Sequence, residues 1–264
     1  MAETKPIHLV FKDASVLGVP LSGNSPQSAD GDAISSSQYF ASFAPLATQI
    51  HALAPPILLL QSVDALAAFL DAAQLLDGTY GEDGVLPVED VTDAADEAIR
   101  ALADLQTQLH RLNLGDQLPI IDKTAIGIGL WCMRHQVAIY APEPIVNALA
   151  RLANAANSRQ ETAAAYALMQ GFLVHIAPQF APDLERSNPE RPWRMLNINF
   201  AIVAIRTGDS AMMRYAFDAL NQALPDECAA FYSEAVALIA NQPGFPIDVH
   251  ALITIEQRRF EQIH

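Results

Sequence analysis

The chain has 264 residues, 51% of them hydrophobic, which is enough to bury a sizeable core and excludes disorder throughout. Its 30 acidic residues outnumber 15 basic ones for a net charge of −15, which opposes nucleic acid and anionic lipid as partners. The imbalance is concentrated early. Residues 1–120 carry 16 acids against Lys5, Lys12, Arg100 and Arg111, a net of −12.

Residues 1–44 read as an extended or flexible N-terminal arm. Ile7 to Phe11 suits a short extended segment, and residues 18–37 are rich in Ser, Gly, Pro, Asp and Asn without an apolar period. The start lacks the basic-then-apolar pattern of a secretory signal. The richest apolar window, 52–70, is interrupted by Pro55, Pro56, Gln61 and Asp64, so no membrane partner is expected. Cys132 and Cys228 lie in apolar helical patterns and are expected to be reduced. With neither a secretory signal nor an uninterrupted apolar span read, the protein is expected in the cytoplasm.

Residues 45–120 form an N-terminal helical section. A short helix from Pro45 to Ala54 is followed by a longer one opened by Pro56 and stopped after Asp77 by Gly78, with Val63, Leu66, Ala67, Leu70 and Ala73 as its core stripe. The glycine- and acid-rich connection after Asp77 does not fit a calcium loop, since Val88 stands where the bidentate Glu belongs. Val91, Ala95, Ala98, Leu102, Leu105, Leu109 and Leu112 then alternate four- and three-residue steps, a single apolar seam whose natural mate is the preceding helix. Self-assembly through that seam is the alternative.

Residues 121–264 read as eight helical segments in four pairs. Their starts near Asp122, Ser158, Pro192 and Asp226 recur about every 34 residues, and proline or glycine punctuates nearly every junction. The second pair is incomplete. A helix over 159–176 is followed by a degenerate stretch to Asn188. The fullest unit is 192–225. With Pro225 as the closing proline, Phe200, Ala201 and Phe217 occupy the leucine, glycine and later aromatic positions of the tetratricopeptide signature. Asn197, Ala204 and Met213 depart from it. A register shifted by four recovers Phe200, Val203, Ala204, Ala216, Leu220 and Ala223 but loses the proline. In this rhythm the chain resembles the tetratricopeptide-like helical repeats. The resemblance implies an all-α fold of antiparallel hairpins stacked as a short α-solenoid, open along one flank.

Zinc, nucleophile-elbow and phosphate-loop motifs are absent, and Gly127-Ile-Gly129 lacks the third glycine of a dinucleotide site. No cofactor or metal is expected. His135 shares a helix with Trp131 and Arg134, a polar group beside an aromatic ring. Arg186, Arg191, Trp193, Arg194, Arg206 and Arg214 gather five of the twelve arginines within thirty residues, in the residue types enriched at interface hot spots. These nine residues are the expected partner-binding set. The function that follows is a non-catalytic protein–protein scaffold, adaptor or chaperone-like assembly subunit that binds a protein or peptide. The alternatives are an enzyme assembled between helices from His135, His175 and nearby acids, or a self-assembling structural subunit.

Overall fold

The computed structural model describes residues 39–53, 55–81, 84, 86, 88–182, 188, 190–240 and 244–262. The arm 1–38, including the extended segment expected at Ile7 to Phe11, lies outside the described residues, as do Arg186 and most of the 183–189 connection. Among the described residues the chain is helical without strands. The ten α-helices among these residues are α1 (Phe43–Ala52), α2 (Ile57–Tyr80), α3 (Val88–Arg111), α4 (Leu118–His135), α5 (Glu143–Ala155), α6 (Arg159–Phe180), α7 (Pro192–Thr207), α8 (Ser210–Ala223), α9 (Cys228–Ala240) and α10 (Ile247–Glu261). The described residues fall into two compact units, one of those up to Arg151 with Val174–Gln179, the other of those in Leu152–Leu173 and from Phe180 onward.

In the first unit α2 and α3 form an extensive antiparallel pair, α1 packs on α2 and α4, and α4 lies on α3. The seam behaves as its period requires. Ala95, Ala98, Leu102, Leu105 and Leu109 are buried, as are Val63, Leu66, Leu70 and Ala73 on the facing stripe of α2. A fully buried leucine such as Leu102 contributes about 1.5–3 kcal/mol relative to an exposed one. The seam is therefore consumed within the chain, and self-association through it would require unpacking α2 from α3.

Two helix ends differ from expectation for identifiable reasons. Gly78 does not stop α2, because an interior glycine costs only about 1 kcal/mol and one more turn still forms hydrogen bonds. The stop is Gly81, whose φ of 84° suits only glycine and whose N–H donates to the Asp77 carbonyl at 2.9 Å. Pro119 occupies the first turn of α4, so that helix begins four residues before Asp122 and ends at Gln136 in the left-handed region. Val137 and Ile139 in the connection that follows are buried.

In the second unit α7 pairs with α8 and α9 with α10, while α8 also touches α10. Pro192 opens α7, Gly208 closes it at a φ of 66°, and the Asp209 side chain caps α8 by accepting from the N–H groups of Ala211 and Met212 at 2.9 and 3.0 Å. Phe200, Ala201, Ala204, Met213, Ala216, Phe217 and Leu220 are all buried, so both registers of the repeat signature name core positions. Pro225 starts the 3-10 turn Pro225–Glu227 that leads into α9.

The degenerate partner expected after residue 176 is not a helix among the described residues. Instead α6 continues through Pro178 to Phe180, lengthening one member of the pair at the expense of the other. A helix exposing one long flank would keep a polar stripe, yet α7 is buried around most of its circumference, from Trp193 and Leu196 through Ile198, Phe200 and Val203 to Ile205.

Candidate functional site

The side chains expected to meet a partner fall into a buried group and an exposed remainder. On α4, Trp131 and His135 lie one helical turn apart, so both project toward the end of α2. There the carboxylate of Asp77 accepts from Trp131 Nε1 at 2.8 Å and contacts His135 Nε2 at 2.7 Å through the same oxygen, Oδ1. His135 Nδ1 lies 2.6 Å from the Gly84 carbonyl oxygen. Both ring nitrogens thus face acceptors. Phe69 closes the network from the apolar side, edge-on to the indole with centroids 5.4 Å apart. Trp131 has no exposed surface and His135 only 4%, so this cluster locks α4 to α2 and to the turn after it. Arg134, on the same helix, is half-buried.

The arginines of the second unit are similarly engaged. Glu227 sits between two of them, accepting from Arg191 Nη2 at 3.2 Å and from Arg194 Nε at 2.6 Å, and Arg191 Nη1 also donates to the Asn188 carbonyl. All three side chains are largely out of water, so charge-assisted bonds tie the start of α7 to the 3-10 turn before α9. Trp193 is buried beside them, and its Nε1 has no hydrogen-bond partner among the described residues. Arg206 donates to the Ala153 and Ala156 carbonyls and so satisfies the C-terminus of α5. Burial pulls the pKa of its guanidinium downward. Arg214 alone among the described arginines of the set is exposed, next to the exposed Tyr215 on α8.

His175 Nε2 donates to the Val137 carbonyl at 2.9 Å, and burial holds its pKa below the ordinary histidine value despite that bond. No group of three or more His, Cys, Asp or Glu side chains arranged for a metal occurs among the described residues.

Several polar ties went unseen in the sequence because they join residues on separate helices. Arg151 clasps Asp122 with Nε at 2.7 Å and Nη2 at 2.6 Å. Asn221 accepts from the Tyr232 hydroxyl at 2.8 Å and from Cys228 Sγ at 3.3 Å, and donates to Glu256 at 3.0 Å, uniting α8, α9 and α10. Burial pushes the Cys228 thiol up to about 12 and raises the Tyr232 phenol as well. One local tie was readable: Ser158 and Glu161 form a capping box at the start of α6, with the serine accepting from Glu161 N–H and the glutamate from the N–H groups of Asn157 and Ser158.

One helix among the described residues, Ile57–Tyr80, is long and apolar enough to cross a membrane by length and composition; 33% of its apolar window is buried. Comparison with protein-family models, with curated proteins and with solved structures finds no match to the chain.

Proposed function

We propose that the protein is a non-catalytic helical scaffold of the cytoplasm that binds another protein through the outer faces of its hairpins, in an arrangement similar to a short tetratricopeptide-like stack. One observation carries the reading. Trp131, His135, His175, Arg191, Arg194 and Arg206 are committed to bonds inside the fold, whereas large apolar side chains stand outward on helix faces, among them Tyr215 on α8 and Ile255 on α10. The near-equal steps between the starts of α7, α8, α9 and α10 and the contact of α8 with α10 support a stacked arrangement in the second unit. Cys132 and Cys228 are free and buried, in keeping with a reducing compartment.

The test is to isolate the tagged full chain from its native cell after mild cross-linking and identify what accompanies it by mass spectrometry. A companion in constant ratio, diminished by Arg214→Ser with Tyr215→Ser, is expected. Recovery of the chain alone would overturn the scaffold reading, and a companion indifferent to the double variant would remove α8 from it.

A further inference from the structure

Helix α2 is apolar on both sides, and among the described residues only one side is covered. Leu59, Val63, Leu66, Phe69, Leu70 and Ala73 are buried against its neighbours α1 and α3. The opposite side carries Leu58, Ala65, Ala68, Ala72 and Leu75 at steps of seven, three, four and three residues, which align along one ridge of a helix. Leu58 is 74% exposed and Leu75 71%, with Ile57 beside them at 67%. A helix that is apolar all round is normally enclosed, so this one lacks a covering element within the described residues.

The borders of the ridge state the chemistry of the cover. Asp64 and Asp71 stand exposed along one border. On the other, Ser62 donates to the exposed Asp104 of α3 at 3.3 Å. Helix α2 has no lysine or arginine, and α3 has two against six acids. His51 of α1 meets Asp64 at 2.9 Å. A second copy would bring the same acids against these, and an anionic bilayer would be repelled by them. The small residues at the centre, Ala65, Ala68 and Ala72, let a helix backbone approach closely. The ridge from Leu58 to Leu75 spans about 26 Å at 1.5 Å per residue, the length of a helix of about 18 residues.

We infer that the outer ridge of α2 is the docking site for a basic amphipathic helix of a partner protein, whose apolar stripe covers Leu58 to Leu75 while lysines or arginines on both borders meet Asp64, Asp71 and Asp104. The inference rests on the scaffold reading and names the face and the partner chemistry. Specificity comes from the apolar ridge, and the acids accelerate encounter and fix orientation.

The experiment uses the full chain and a fluorescent 18-residue peptide with a leucine and alanine stripe bordered by lysines, beside a scrambled peptide of the same composition. Saturable one-to-one binding of the patterned peptide is expected, weakened about tenfold or more by Leu58→Gln with Leu75→Gln, by Asp64→Asn with Asp71→Asn, and by raised salt. All four positions are exposed, so circular dichroism should report an unchanged fold. Equal binding of the scrambled peptide, or binding indifferent to the leucine pair, overturns the inference. So does a concentration-dependent dimer in sedimentation equilibrium that the leucine pair abolishes, which assigns the ridge to a second copy. Flotation with phosphatidylcholine–phosphatidylserine vesicles, lost in the same variant, assigns it to a bilayer and overturns it too. If the peptide fails while a native companion is still captured, the α2 face is wrong and the scaffold reading stands.

Discussion

Replacing Asp77 by alanine tests whether the Asp77, Trp131 and His135 cluster holds α4 to α2. The carboxylate oxygen serves two buried groups, the indole N–H at 2.8 Å and the imidazole Nε2 at 2.7 Å, and the carboxylate itself is only 12% exposed. Removing it leaves the indole donor orphaned in an apolar surround, at a cost of about 1–3 kcal/mol. The imidazole can retreat to the tautomer that keeps its Nδ1–H on the Gly84 carbonyl, so its share is smaller, about 1 kcal/mol. The total, about 2–4 kcal/mol, corresponds to a fall in Tm of roughly 4–16 °C for a domain of 150–250 residues. Asp77→Asn keeps an oxygen able to accept both bonds and should lose about 1 kcal/mol. Urea unfolding followed by circular dichroism gives both values, and Trp131 fluorescence should shift to the red in Asp77→Ala as its surroundings loosen. An alanine variant within about 0.5 kcal/mol of the parent would refute the reasoning, because surface substitutions remain inside that range.

Two further outcomes follow from burial. Neither cysteine should react with iodoacetamide at neutral pH in the folded chain, since burial raises both thiols, Cys228 to about 12; mass spectrometry should find both labelled only in denaturant. Acidification should destabilise the protein as pH falls below the ordinary histidine value of 6.5, because burial lowers the His175 pKa and the unfolded chain then binds the proton more readily. A His175→Gln variant, which can still donate to the Val137 carbonyl, should flatten the stability profile just below 6.5; an unchanged profile would show that His175 does not set it. Nearer the carboxylate range Glu161 adds a loss of the same sign, its pKa being lowered by the N–H groups of Asn157 and Ser158 and then by Ser158 Oγ, so that protonation weakens the α6 cap.

What the sequence disclosed follows the range of each interaction. Helix identity and core faces rest on neighbours three and four residues away, so Ala95 to Leu109 could be assigned to a buried seam and Pro192 to a helix start. Proline was the less dependable mark. Pro178 reads as a terminator, but a lost hydrogen bond inside a long, well-packed helix such as α6 is tolerated when the surrounding contacts outweigh it. The arginine cluster was visible as composition, and its engagement was not, because Glu227 lies 33 and 36 residues from the arginines it joins. Asp77 reads in the sequence as the residue before a glycine and as the first position of a calcium loop that fails at Val88. Trp131 and His135, which it joins, lie 54 and 58 residues away, and nothing local signals them.

The brevity of the joint between α7 and α8 bears on how the chain acquires its structure. Gly208 and Asp209 alone separate the two helices, so their mutual burial closes a short loop and carries little entropic penalty. Contacts this local form on the fastest timescales open to a polypeptide, ahead of any that must bring Asp77 to His135. The hairpin closest to the middle of the second unit is thus a natural seed, from which α9 and α10 can condense while the more distant pairings are still being searched.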